Sequence, residues 1–137
     1  MFIKGKVNYK IVVNRSNIHG KGSFAAENIP EGKKIGHLEG NIISKSTARK
    51  KAKQQASISI VELWNGKALD ASRSKDLRYI NHSCNPNTYM RNLDNLVEFY
   101  ALRNIKTGAE LTCNYGPTHH DGKIICKCGA ENCKGKL

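Results

Sequence analysis

Three short segments of this 137-residue chain carry side chains able to do chemistry. The first is Arg78-Tyr79-Ile80-Asn81-His82-Ser83-Cys84-Asn85-Pro86-Asn87. The second is Glu110-Leu111-Thr112-Cys113-Asn114-Tyr115-Gly116, and the third is Cys126-Lys127-Cys128 followed by Cys133. The third offers three thiolates within a very short span, and structural zinc takes four ligands in a tetrahedron. A fourth ligand must therefore come from elsewhere. Cys84 and Cys113 are the thiol candidates; His82, His119 and His120 are the imidazole candidates. His119-His120 sit beside Pro117 and Asp121 and read as a solvent-exposed connecting loop. A further element, His19-Gly20-Lys21-Gly22, is by itself only a turn, although glycine there would let backbone approach a ligand without a Cβ clash.

In this order and at this spacing the segments resemble the SET-domain protein lysine methyltransferases with a zinc-binding post-SET tail. The resemblance runs from about Ser16 to the C-terminus. It implies a mostly β fold with short helices, β-clip-like, with a pseudoknot-like crossing of the segments around Asn81 and Tyr115. Residues 1–116 would form the SET domain and 117–137 a linker and post-SET tail. It selects Cys84 to complete an all-thiolate zinc site with Cys126, Cys128 and Cys133. It places backbone near Gly20, Lys21 and Gly22 against S-adenosylmethionine. Asn81 would hydrogen-bond the methionine part of that cofactor, His82 would bind adenine through its backbone, and Arg78 would meet the cofactor carboxylate or a nearby one. Glu110 and Thr112 would be structural.

Tyr115 matches the tyrosine that ends the family's Glu-Leu-Thr-x-x-Tyr motif and is the expected catalytic residue. Methyl transfer needs a neutral amine, whereas a free lysine with a pKa near ~10.4 is almost wholly protonated at neutral pH. A narrow apolar channel disfavours the charged form, and a tyrosine hydroxyl can orient the amine. Leu38, Tyr79 and Cys113 are the channel candidates. Leu38 and Cys113 stand where relatives often carry aromatic residues, as does Ser59. Such an aromatic-poor channel leaves three readings: more than one methylation, other aromatics such as Tyr79, Phe99 or Tyr100 filling the space, or slow turnover.

The elements that must position these residues read as short strands joined by Gly/Asn turns. Strands are expected at Tyr9–Val13, Lys34–Ile43, Ser57–Leu63, Lys67–Ala71, Thr88–Arg91, Leu96–Leu102 and Glu110–Tyr115. Asn65-Gly66 and Asp94-Asn95 supply the hairpin turns. One helix is expected at Thr47–Ala56, capped by Ser44 or Ser46. An internal echo links Phe24-Ala25-x-x-Asn28-Ile29-x-x-Gly32-x-x-Ile35 to Tyr100-Ala101-x-x-Asn104-Ile105-x-x-Gly108-x-x-Leu111. Both copies read as strand, glycine turn, strand, and shared turn chemistry accounts for them without duplication.

The length suits one domain with a modest core, and 39% hydrophobic residues suit a soluble one. No apolar stretch approaches a membrane helix or a signal peptide, so an intracellular monomer in cytoplasm or nucleus, without a membrane partner, is expected. Five cysteines, three of them within the last dozen residues, fit a metal site in a reducing compartment. The net charge of +12, from 23 basic and 11 acidic residues, favours anionic partners such as nucleic acid or chromatin, and also serves plain solubility. Lys45, Arg49, Lys50, Lys51 and Lys53 read as a solvated helix face. A basic enzyme is drawn to proteins already seated on nucleic acid, which makes histones or other DNA-associated basic proteins the expected substrates. The rival reading is a catalytically weak, zinc-stabilised basic module that docks on nucleic acid or chromatin.

Overall fold

The computed structural model describes residues 1–54, 60–63, 65–114 and 126–135. In chain order the elements are β1 (Phe2–Ile3), β2 (Lys6–Val7), β3 (Ile11–Arg15), β4 (Lys21–Ala25), β5 (Lys34–His37) and β6 (Gly40–Ser44), then α1 (Lys45–Gln54). They continue with β7 (Ile60–Glu62), β8 (Lys67–Asp70), a single 3-10 turn at Leu77–Tyr79, β9 (Asn81–His82), β10 (Thr88–Leu93), β11 (Leu96–Ala101) and β12 (Thr112–Cys113). The mostly β expectation holds. Among the described residues no helix is long and apolar enough to cross a membrane.

Local chemistry explains most element ends. Ser44 accepts the Thr47 N–H at 3.1 Å and so caps α1, two residues before the expected start. Ala56, the expected helix end, lies outside the described residues. Of the basic run, Lys51 pairs with Asp70 at 2.7 Å, and Lys45 and Arg49 approach Glu62 at 3.8 and 3.7 Å. Three of the run's five cations are thus turned toward acids of β7 and β8. Both hairpins form: β7 pairs with β8 around Asn65-Gly66, and β10 with β11 around Asp94, whose φ is 54°.

The strands make three sheets, ordered β1-β6-β8-β7, β2-β5-β11-β10-β12-β9 and β3-β4. The expected strand Lys34–Ile43 is in fact two, β5 and β6, which belong to different sheets. Ile35 and Leu38 are both buried yet three residues apart, so they cannot share one face of a single regular strand. The chain changes sheet after Leu38, whose N–H donates to the Val97 carbonyl at 3.0 Å. Among its described residues, the expected strand Glu110–Tyr115 is paired at Thr112–Cys113, with an isolated bridge from Glu110 to Phe24; Tyr115 lies outside the described residues. Ile29, Ile35, Leu69, Val97, Phe99 and Leu111 anchor one core against which the sheets pack.

The echo in sequence is an echo in space. Ile29 and Ile105 exchange both backbone hydrogen bonds at 2.8 Å. Gly32 N–H donates to Ala101 O at 2.8 Å, and Gly108 N–H donates to Ala25 O at 2.7 Å. Asn104 Oδ1 accepts from Glu31 N–H, and Asn28 Oδ1 accepts from Thr107 N–H, both at 2.9 Å. Gly32 and Gly108 both turn at positive φ, 80° and 91°, where a side chain would be strained. Each contact one unit makes is returned by the other, so the two units are related by a local two-fold.

The other organising feature is a crossing. Strand β12 lies between β9 and β10 and runs parallel to both, with Cys113 opposite His82 on one side and Thr88 on the other. Parallel neighbours ordinarily need a crossover of a dozen residues. Here residues 83–87 suffice, because β9 ends and β10 begins at the same level. Asn87 stitches this loop to the strand beneath it: its Nδ2 donates to Glu110 O at 2.8 Å, and its Oδ1 accepts Thr112 N–H at 2.9 Å. The pseudoknot-like crossing is therefore present.

One buried charge on the six-stranded sheet gives a pH-dependent stability. Lys34 at 2.7 Å holds the Glu98 carboxyl below its ordinary 4.5, against the burial that would raise it. A folded value below the unfolded one means the charged form favours the fold. That stabilisation is complete above about pH 4.5 and disappears as pH falls through the folded value. Thermal melts across this range are expected to show an acid-side decline that is shallower in Glu98→Gln.

Candidate functional site

Asn81 in β9 is the hub of the site and is 8% exposed. Its Nδ2 lies 3.1 Å from each of Ser16 Oγ, His19 O and Lys21 O, and 3.0 Å from Glu110 Oε2. Four acceptors around one atom fix the orientation of the amide, because its oxygen would be repelled there. Ser16 Oγ, 2.7 and 2.9 Å from the two Glu110 oxygens, gives that carboxylate its single proton. It also accepts the N–H groups of Ile18 at 2.9 Å and His19 at 3.4 Å. Residues from 94 positions apart thus close into one clasp. A Cβ at Gly22 would run into the Glu110 carboxylate, so a side chain there would push that group out of the clasp. The clasp fixes the loop that carries His19-Gly20-Lys21-Gly22. Beside Gly20, whose φ is 48°, no atom of the described residues lies within 4 Å of where a Cβ would project. A depression of about 440 Å³ opens next to it, lined by Val13, Asn14, Arg15, Gly20 and Lys21.

His82 follows Asn81 in β9 and is 8% exposed. Burial, aided by the Lys134 charge, holds its imidazole below the ordinary 6.5, so it is neutral at physiological pH. Arg78 donates to the Ser72 carbonyl and, at 2.7 Å, to the Tyr79 hydroxyl. Its guanidinium also lies over the Tyr79 ring, 4.5 Å from the centroid. These contacts bind Arg78 to its own turn. Leu38 and Cys113 belong to the apolar core, whereas Tyr79 is only half-buried. Burial pushes the Cys113 thiol up to about 11. Tyr115, Ser59, His119 and His120 lie outside the described residues; the described chain of this segment ends at Asn114.

The cysteines converge. The Sγ atoms of Cys84, Cys126, Cys128 and Cys133 all lie within 4.8 Å of one another. A tetrahedron with Zn–S bonds of ~2.3 Å separates its sulfurs by about 3.8 Å, so the cluster could hold a zinc ion with small adjustment. Backbone N–H groups point at the sulfurs: Lys134 at Cys84, 3.5 Å, and Gly135 at Cys133, 3.3 Å. Left to themselves Cys126 and Cys128 do not ionise together. Burial pushes Cys126 up to about 12. Burial also opposes ionisation of Cys128, but backbone donors at Cys84 and Ala130 and the neighbouring thiols bring it down to about 6. A divalent cation resolves this conflict, because thiolates are its ligands. The tail is pinned to the crossing loop by a further bond, Asn132 Nδ2 to Cys84 O at 2.9 Å.

Residues 20–116 match the SET domain family. The chain belongs to that family. It is 34% identical over 143 residues to the histone-lysine N-methyltransferase trithorax of Drosophila virilis, covering 96% of this chain and 4% of that protein. It is 34% identical to the putative histone-lysine N-methyltransferase 1 of Plasmodium falciparum, with 95% and 2% covered. It is 36% identical to the histone-lysine N-methyltransferase set-2 of Caenorhabditis elegans, with 90% and 9% covered. The chain therefore spans less than a tenth of the length of these relatives.

Sequence reasoning marked Asn81 and the four cysteines. It missed Ser16 as the partner of Glu110, Asn87 as the stitch, and the tail contacts from Asn132 and Lys134. Paired polar side chains far apart in sequence leave no periodic trace. Two outcomes check the site. Hydrogen bonds to a charged group contribute about 1.5–3 kcal/mol, so Ser16→Ala is expected to cost that order in denaturant melts and to speed amide exchange at Ile18–Gly22. The cluster is expected to retain zinc through dialysis and to lose it on Cys133→Ser. After chelation a thiol reagent should reach the cluster cysteines in the folded protein while Cys113 stays silent until unfolding.

Proposed function

We propose that the chain is a protein-lysine N-methyltransferase domain that transfers a methyl group from S-adenosylmethionine to a lysine side chain of a protein. The observation that carries this reading is the clasp of Ser16, Asn81 and Glu110. It locks the glycine loop to the strand beside which β12 is threaded, and β12 leads into Tyr115. When bound, S-adenosylmethionine supplies a methyl group on a sulfonium. The residues fit such a group: the open side of Gly20 and the depression lined by Arg15 and Lys21 offer room and positive charge for a carboxylate. In this reading Gly20, Lys21 and Gly22 present backbone to the cofactor. Asn81 holds that loop in place, and His82, neutral and buried, lends its backbone. Arg78 stiffens the turn that precedes Asn81.

Tyr115 orients the substrate amine, which must arrive without its proton, and the apolar surroundings of Leu38 and Cys113 disfavour the charged amine. Tyr79 borders the same channel. A small residue at Cys113 leaves space for an amine that already carries methyl groups. Zinc held by Cys84, Cys126, Cys128 and Cys133 staples the tail across the loop between β9 and β10. The relatives are named for histone-lysine methylation, and a histone or another DNA-associated basic protein is the proposed substrate. The domain acts as a monomer, in the nucleus or the cytoplasm.

The test is transfer of label from isotopically labelled S-adenosylmethionine into histones and whole-cell protein. Wild type should label lysine. Tyr115→Phe should lose most of that activity, about a hundredfold or more, while keeping its melting temperature and zinc content. Equal labelling by the two proteins would remove Tyr115 from the chemistry.

A further inference from the structure

The six-stranded sheet turns one face to the core and one to solvent, and the outer face carries a composition that the methyl-transfer reading does not use. Register sets two rows of side chains across β2, β5, β11 and β10. Lys6, His37, Glu98 and Arg91 stand in one row, and Lys34, Tyr100 and Tyr89 in the next. The first row crosses four strands, roughly 14 Å at the usual strand spacing, and the second crosses three. Tyr89 and Tyr100 are stacked, with ring centroids 5.3 Å apart and planes 13° from parallel. Tyr89 is 40% exposed. Arg91 lies 5.9 Å from the Tyr100 ring centroid, with half of its side chain in solvent. Glu98, the acid within the two rows, is sealed beneath Lys34 at 2.7 Å and Arg91 at 3.7 Å. What faces solvent is therefore an aromatic platform edged by cations.

We propose that this face binds a single-stranded nucleic acid, with a base stacked on Tyr89 and phosphates drawn to Arg91, Lys34 and Lys6. Stacked rings together with cations are what a single strand needs: every base has a flat face, and every linkage carries a negative charge. The exposed face of a sheet reaches unpaired bases, as sheet-borne aromatics do in RNA-binding modules. It does not enter a groove of a duplex, which takes a helix or a two-stranded ribbon. The basic protein tails on which the proposed enzyme acts would be repelled from this face. An acidic protein would use the cations but not the rings. The overall charge of +12 works in the same direction.

The probe is a fluorescently labelled oligo(dT) of about twelve nucleotides, read by anisotropy across a salt series. Arg91→Ala is expected to weaken binding and to reduce the slope of log affinity against log salt by about 0.7, the value for one phosphate contact on a single strand. Tyr89→Thr keeps a strand-favouring residue and is expected to weaken binding about fivefold or more with the salt slope unchanged. Tyr89→Phe should bind as wild type does. Melting temperature and zinc content report that each variant is folded. The proposal is overturned if folded Tyr89→Thr binds like wild type, or if a duplex of the same length binds as tightly as the single strand. Either result would leave a merely electrostatic surface. Methyl transfer to a peptide substrate should be the same in all these variants, so failure of the enzyme reading and failure of this one are separately visible.

Discussion

Everything in this fold depends on one strand having neighbours on both sides. The two residues of β12 sit between β9 and β10, which a loop of five residues joins over its top. Because β12 is there, Glu110 just before it reaches Asn81 and Ser16. Because the loop must arch over it, Cys84 is lifted to where the tail can reach it. The glycine loop, the neutral His82 and the thiol cluster are therefore consequences of a single topological choice. Asn87 enforces that choice with both ends of its amide.

The site and the fold were legible to different degrees. Asn65-Gly66 and Asp94-Asn95 spelled their hairpins because a turn needs particular residues at fixed places, and Ser44 spelled its helix for the same reason. The four cysteines could be named from their types and spacing together with the family resemblance, since a metal needs few and definite ligands. The break between β5 and β6 was readable only in part: Ile35 and Leu38 fall out of step, but nothing local says that the chain will change sheets. The Ser16–Glu110 contact was invisible, because a hydroxyl and a carboxylate far apart in sequence carry no shared pattern. The contacts by which the Asn81 amide nitrogen holds the glycine loop were likewise not legible, because its partners come from distant parts of the chain. The engagement of Arg78 by Ser72 and Tyr79 also left no mark in the sequence pattern.

The echoed segments show how a weak sequence signal becomes a strong structural one. Read along the chain, Phe24–Ile35 and Tyr100–Leu111 share turn chemistry and little more. In space they meet at Ile29 and Ile105 and satisfy each other's backbone groups reciprocally. This matters energetically, because buried N–H and C=O groups left unpaired are costly. Each unit supplies the partners that the other lacks, so neither is complete alone. The two-fold also carries the chain from β4 toward Glu110, through the bridge between Phe24 and Glu110. The symmetric pair thereby delivers the start of the crossing strand to the glycine loop.

The threaded strand also imposes an order on assembly. A chain made from its N-terminus presents β9, the arching loop and β10 before β12 exists. Until then the gap between β9 and β10 has two lips of unpaired backbone and no third strand to close it. Its occupant, residues 110–114, comes from beyond the second echoed unit. In the folded protein the contacts between the two units set where that strand begins. The last cysteines follow later still and close over a loop already supported from below. The fold is therefore built like a latch with a bolt, in which the bolt is made after its socket and the fastening after the bolt.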